Sequence, residues 1–332
     1  MSKMTFLQTA AVAVVYLSTN GVANVTMPGR IAPSKPQVLG EQHEALVWAM
    51  DAAALKLYSE GRYEEAESAY LKTLETSRVL FGEMHRTSTS VMGNLAWFYY
   101  GRGRWNEAES LLTRVIELRR EMGPEDDPNT LPYMGFLGLL YTKLARYDKA
   151  EPLLTKVLQS RRQVLGEENE ATLRSMNDLA TLYTAQSRYD QAAELLANAL
   201  KTAGRVLGQE HPIVLSSVHG LGVLNRSQSR YDQAEQLFTE ALQGRRTKLG
   251  DEHPDTLESM HELGIVHTMQ NRHKEAEPLL IKAFQDRQKK LSINHPDTLD
   301  SLRQVIKLYE AWGKTEQAAQ WRQKLPPNNP EK

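Results

Sequence analysis

The string Gly61-Arg62-Tyr63-Glu64-Glu65-Ala66-Glu67 returns, with small changes, every 42 residues to the end of the chain. It starts again at Gly103, Ala145, Ser187, Ser229, Asn271 and Gly313, and the spacing never slips. Seven copies in register describe an array of stacked repeats that share a core across their junctions, because a single repeat of this length cannot bury its apolar face alone. A chain of 332 residues is ordinarily expected to form two domains, but the period makes one continuous solenoid the expectation.

Within a repeat, two apolar periodicities alternate with two breaks. From Glu170 to Gln186, residues Leu173, Met176, Leu179, Ala180 and Tyr183 fall on one helical face, which predicts a first helix, A. A turn at Ser187-Arg188 follows, then a second helix, B, from about Tyr189 to Val206, with Ala192, Leu195, Leu196, Ala199 and Leu200 on one face. Leu207-Gly208 closes it, glycine being the residue that takes a left-handed conformation at low cost. An alanine holds the same place in every helix B: Ala66, Ala108, Ala150, Ala192, Ala234, Ala276 and Ala318. A second small column in helix A runs Ala54, Ala96, Gly138, Ala180, Gly222 and Gly264. Two small columns on facing helices are what tight antiparallel packing requires. The column Met50, Met92, Met134, Met176 and Met260 reads as core filling.

The junctions are periodic as well. His211-Pro212, His253-Pro254 and His295-Pro296 share a place with Asp127-Pro128 and Asn169-Glu170. Proline suits the first helical position, where its missing N–H costs nothing, and the residue before it then caps the helix. The histidines of this column are therefore expected to be capping or loop residues. No cysteine or convergent ligand set accompanies them, so no metal is expected.

Leu179-Ala180-x-x-Tyr183, then Arg188-Tyr189-x-x-Ala192, then Leu207-Gly208-x-x-His211-Pro212 resembles the tetratricopeptide repeat. More narrowly it is similar to the 42-residue variety found in kinesin light chains and in many bacterial proteins. The resemblance covers residues 40–325, with repeats starting near 44, 86, 128, 170, 212, 254 and 296, the last a truncated cap departing from the motif at Lys314-Thr315. It implies an all-α, right-handed superhelical solenoid of seven helix–turn–helix repeats, in which helix A lines a concave groove that receives a peptide or a partner protein. Kinesin light chains carry a repeated groove asparagine before the Leu-Ala pair and bind acidic peptides. Here that column reads Ala52, Asn94, Phe136, Asp178, Gly220, Glu262 and Gln304; only Asn94 matches, and the acids oppose an acidic cargo. The heptad segment that joins a light chain to its motor is also missing, so a motor role is not implied.

Net charge of −1 gives no basic stripe for nucleic acid. No glycine-rich phosphate loop, nucleophile elbow or metalloprotease helix occurs, so neither an enzyme nor a cofactor is expected. His219 and His261, with Glu258 and Glu262, occupy adjacent helices A and pose the one alternative, a histidine–carboxylate site; solvated groove residues are the plainer expectation. Lys3, the apolar run Ala10–Leu17 and the small residues Gly21 and Ala23 read as a secretory signal over 1–23, which predicts export to a periplasmic or secreted location. An uncleaved membrane anchor over 4–23 and a cytoplasmic chain are the alternatives. Residues 24–39, with Pro28, Gly29, Pro33 and Pro36, read as a flexible linker, and 326–332 as a disordered tail.

With helix A facing the groove, its first three copies are expected to present Trp48, Leu55, Tyr58, Asn94, Trp97, Tyr100, Phe136 and Leu139. The later copies present Arg174, Asn177, Asp178, His219, Arg226, Glu258, His261, Glu262, Arg303 and Lys307. Exposed aromatics suit a binding hot spot, an apolar pocket for a peptide side chain; the alternative is that Trp48, Trp97 and Phe136 are core residues. The function expected is a non-enzymatic interaction scaffold that holds a protein or peptide; the alternative is a structural subunit of an envelope or secretion assembly, using the convex face or the ends. Nothing in the sequence sets an oligomeric state.

Overall fold

The computed structural model describes residues 35–124 and 127–327, with side chains from residue 40 onward. The signal or anchor expected over 1–23 lies outside the described residues. Fourteen helices and no strand occur among the described residues, and no helix there is long and apolar enough to cross a membrane. They group into two compact units, 1–140 and 141–332.

The first unit holds α1 (Lys35–Ser59), α2 (Tyr63–Phe81), α3 (Arg86–Gly101), α4 (Trp105–Met122) and most of α5 (Leu131–Lys143). The second holds the end of α5, then α6 (Tyr147–Leu165), α7 (Glu170–Ala185), α8 (Tyr189–Leu207), α9 (Pro212–Ser227) and α10 (Tyr231–Leu249). It finishes with α11 (Pro254–Met269), α12 (His273–Leu291), α13 (Pro296–Ala311) and the short cap α14 (Thr315–Arg322). Odd-numbered helices up to α13 are the A helices, and even-numbered ones are the B helices. Helix α1 starts at Lys35, so the last residues of the expected linker are helical. Pro36 permits this because it falls in the first turn, where no intrahelical bond needs its N–H.

The junction histidines cap as expected. Nδ1 of His211, His253 and His295 accepts the backbone N–H of Ile213, Asp255 and Asp297 at 3.3, 3.2 and 3.1 Å. His85, which no proline follows, does the same for Thr87 at 3.2 Å. The third repeat departs from this pattern. Asp127 Oδ1 accepts from Asn129 N at 2.9 Å, closing a turn, and α5 begins only at Leu131. Pro132 explains the delay: a helix starting at Pro128 would need the N–H that Pro132 lacks.

The B helices end on Gly82, Gly166, Gly208 and Gly250, at φ of 84°, 84°, 90° and 87°. Their ψ values near 160° put them in an extended positive-φ region that is essentially restricted to glycine, not in the left-handed helical conformation expected.

The recurring Arg-x-x-Glu-Ala-Glu pattern now has a physical cause. At four of the A–B turns the arginine pairs forward with the acid or amide three residues on: Arg62 with Glu65, Arg104 with Glu107, Arg188 with Gln191 and Arg272 with Glu275. In the last three its other arm reaches back into the preceding repeat. Arg104 Nη1 donates to Glu67 at 2.6 Å, Arg188 to Glu151 at 2.5 Å and Arg272 to Glu235 at 2.6 Å. Beneath this clamp, the helix-B alanine column from Ala66 to Ala318 is fully buried. The facing small column receives bulky side chains: a Cβ on Gly222 would lie 2.7 Å from the Phe238 ring, and one on Gly264 would lie 2.7 Å from Leu280. Met92, Met134, Met176 and Met260 are buried in the core, and Met50 is half-buried.

Candidate functional site

In the first unit the A helices bring the expected aromatics together, at different depths. Tyr58 is buried, not groove-lining: its ring packs edge-on against Trp97, Tyr63 and Phe98 at 5.2, 5.5 and 5.7 Å. Gly101 makes the room, since a Cβ there would lie 2.6 Å from the Tyr58 hydroxyl. Trp97, Tyr100 and Phe136 remain half-buried, with Tyr100 and Phe136 edge-to-face at 5.1 Å. Trp48 is half-buried as well. The result is an aromatic strip held from below by a buried aromatic cluster.

Asn94 is buried and does not face an open groove. Its Nδ2 donates to Asp51 Oδ2 at 2.8 Å. Burial raises the Asp51 carboxyl to about 7, with the Asn94 bond pulling the other way. Asp51 gave no signal in the sequence, because no other repeat has an acid in its column.

In the second unit the column Asn177, His219, His261 turns across the junction toward the next helix A. Ser217 Oγ donates to Asn177 Oδ1 at 2.9 Å, Ser259 Oγ lies 3.3 Å from His219 Nδ1, and Ser301 Oγ lies 3.5 Å from His261 Nδ1. That turn is why Asn177 and His261 are buried where a groove position was expected. An arginine from the intervening helix B completes two of these rungs: Arg245 donates to Ser259 and Arg287 to Ser301, both at 2.8 Å. Arg161 does the same for Ser175 at 2.7 Å. This arginine–serine pairing is periodic, so a signal for it was present in the sequence.

Several of the remaining charges pair with one another. Arg226 pairs with Glu262, its Nε 2.6 Å from Oε2 and its Nη2 donating to Oε1 at 3.5 Å, yet burial pushes the Glu262 carboxyl up against the pull of Arg226. His261 Nε2 meets Asp300 Oδ2 at 3.0 Å. Burial would raise the Asp300 carboxyl, but the His261 bond and Arg287 bring it below its ordinary value. Arg174 pairs with Glu170 at 2.8 Å. Asp178 is half-buried, and burial lifts its carboxyl to about 6 against Arg161 and Arg174. Glu258 pairs with Arg287 while its side chain stays 46% exposed. Burial would raise its carboxyl, but Arg287, His261, His219 and Lys143 hold it at about 2. Burial, aided by Arg245, drops the His219 imidazole to about 3, so it is neutral at ordinary pH. Arg303 is half-buried and Lys307 exposed.

His219, His261, Glu258 and Glu262 thus each take a different partner. Among the described residues no three His, Asp or Glu side chains are placed to hold a metal ion. The A helices thus carry an aromatic strip in one unit and a polar face of paired charges in the other.

The family model of the tetratricopeptide repeat matches residues 52–121, 129–205, 180–247 and 214–289. No curated protein matches significantly. Among solved structures, NprR in complex with its cognate peptide NprX is 14% identical, covering 95% of this chain and 86% of that one at a TM-score of 0.65. BtubC (BKLC) from P. vanneervenii is 23% identical over 68% of this chain and 91% of that one, at a TM-score of 0.52. A Podosopora anserina protein of nearly identical repeats, classed with kinesin light chains, is 27% identical over 58% of this chain and 92% of that one, at a TM-score of 0.47. With its repeats matched over most of the array, the chain belongs to the tetratricopeptide repeat family.

Proposed function

We propose that this chain is a non-enzymatic adaptor that holds a partner's extended peptide or helix on the faces of its A helices. The observation that carries this reading is the half-buried strip of Trp97, Tyr100 and Phe136, with Trp97 packed edge-on against the buried Tyr58 ring. Aromatic side chains fixed before binding lose little entropy on contact and offer much area, which is how binding hot spots are built. NprR, of the same fold, has been solved with its cognate peptide. Replacing Trp97 with Ala should abolish capture of the native partner in a crosslinking pull-down while leaving the melting temperature nearly unchanged. A large fall in melting temperature with capture intact would overturn the reading.

A second reading, a structural subunit of a larger assembly, draws on the helix-B ends of the second unit. There Val164 and Val206 share a column and are 52% and 41% exposed. Under this reading Arg174→Ala and Arg226→Ala leave assembly intact, whereas under the first they weaken capture. We also propose that residues 1–23 direct export; fractionating the native host with and without them tests this.

A further inference from the structure

Lys143 and Asp297 lie 154 residues apart in sequence, yet Lys143 Nζ donates to Asp297 Oδ1 at 2.8 Å. Lys143 ends α5 and Asp297 stands in the first turn of α13, so within the second unit the contact ties the A helix of the third repeat to that of the seventh. The ion pairs Arg188–Glu151, Arg226–Glu262 and Arg272–Glu235, by contrast, join adjacent repeats. Between the two tied helices lie the A helices α7, α9 and α11, with the polar face described above.

Three observations separate this contact from ordinary packing. Its partners come from opposite ends of their helices, a carboxyl-terminal turn against an amino-terminal one. Both side chains stay open to water, 33% and 39% exposed, so the pair sits on the rim and supports no core. The Lys143 ammonium also acts through space on Glu258 of α11, helping to hold its carboxyl low. A contact that spans the face while being weak and screened by salt is suited to opening and closing.

We propose that Lys143 and Asp297 form a latch across the A-helix face of the second unit, and that an occupant of that face must part it. Parting sets the Lys143 ammonium on one side of the face and the Asp297 carboxylate on the other. The occupant that replaces both halves is a peptide segment with an acidic side chain close to a basic one. That last consequence rests on the A-helix face being the binding face, as proposed above; the latch itself does not.

The test needs no ligand, so its failure is distinct from failure of the adaptor reading. The chain has no cysteine, so introduced thiols are unique. A direct disulfide demands Cα atoms within about 7 Å, closer than a lysine–carboxylate pair requires, so a short bis-maleimide is the probe. Lys143→Cys with Asp297→Cys, in the full chain, should become bridged within one molecule; absence of an intramolecular bridge overturns the contact. A single Ser216→Cys, in the column of Glu258, then reports access to the face through its rate of reaction with a polyethylene-glycol maleimide. Adding Lys143→Ala should raise that rate about 2- to 5-fold. Salt at about 0.5 M should raise it in the Ser216→Cys chain but not once Lys143 is removed. N-ethylmaleimide, small enough to pass, should react equally in both backgrounds. Equal rates with the large reagent overturn the latch as a gate.

Discussion

Asn94 donates its side-chain amide to Asp51 Oδ2, and no partner takes Asp51 Oδ1 although the residue is only 2% exposed. The cause lies forty residues along the chain. In later repeats the residue of this column meets a serine at that separation, as Asn177 meets Ser217. At the corresponding place for Asp51 stands Val91, which has no hydroxyl to offer.

This orphaned oxygen makes stability depend on pH. Burial raises the Asp51 carboxyl to about 7, with the Asn94 bond opposing and the phenol of Tyr70 close by. In the unfolded chain it titrates near 4, so between these values the folded state keeps a proton that the unfolded state has lost. The stability contributed by this group is therefore fully present below about pH 4 and is lost as pH rises through 7. The loss is on the order of 4 kcal/mol at most. Asp51→Asn removes it. Denaturant midpoints of the two proteins should diverge as pH rises, the variant becoming the more stable, and other carboxylates cancel in the difference. Parallel midpoint curves would contradict this.

The backward arm of the turn arginine predicts a gain. Glu67, Glu151 and Glu235 receive it, but Ala193 occupies the corresponding place in the fourth repeat, opposite Arg230. Ala193→Glu should add about 0.2–1 kcal/mol in chemical denaturation, with the gain shrinking at high salt. A loss, or a gain insensitive to salt, would show that Arg230 does not take up the clamp.

The small columns predict losses. Gly222→Ala would drive a methyl group into the Phe238 ring, and Ala192→Leu would overfill a site that is fully buried. Each should cost roughly 1–3 kcal/mol in a thermal or urea melt, because close-packed helices relax only partly around added volume. An unchanged melt for Ala192→Leu would sink the packing assignment.

Backbone strain predicts two further gains. Ser292, at φ of 84°, takes the place of the helix-ending glycines, and Ala145, at φ of 55°, takes that of Gly61 and Gly103. Ser292→Gly should stabilise by about 1–3 kcal/mol and Ala145→Gly by about 1 kcal/mol, less whatever glycine adds to the freedom of the unfolded chain. A lower melting temperature for Ser292→Gly would mean that the serine side chain makes a contact worth more than the strain.

What the sequence disclosed and what it hid divide along a physical line. The alanine column, the histidine caps and the A–B turns repeat, and periodicity exposes whatever stacking demands of every copy. Tyr58 was misplaced because its depth depends on Gly101, a neighbour in the next repeat whose smallness opens a hole that helical periodicity does not register. Asn177 and His261 were placed in the groove because periodicity assigns a face without saying whether that face meets water or the next helix. Lys143 and Asp297 were invisible as a pair, since their meeting depends on small rotations accumulated over four junctions.

The matching forty residues apart has one more consequence. Gly93 has no side chain, and the ring of Tyr133 fills the space a Cβ would take; Asn177 instead finds a serine. Each copy is thus keyed to the copy that follows it. Deleting the second repeat would set Asp51 against Tyr133, an acid against a large ring, with every motif still intact. The array behaves as a sentence with fixed word order: a shortened or reshuffled version would keep its vocabulary and lose its grammar at the joints.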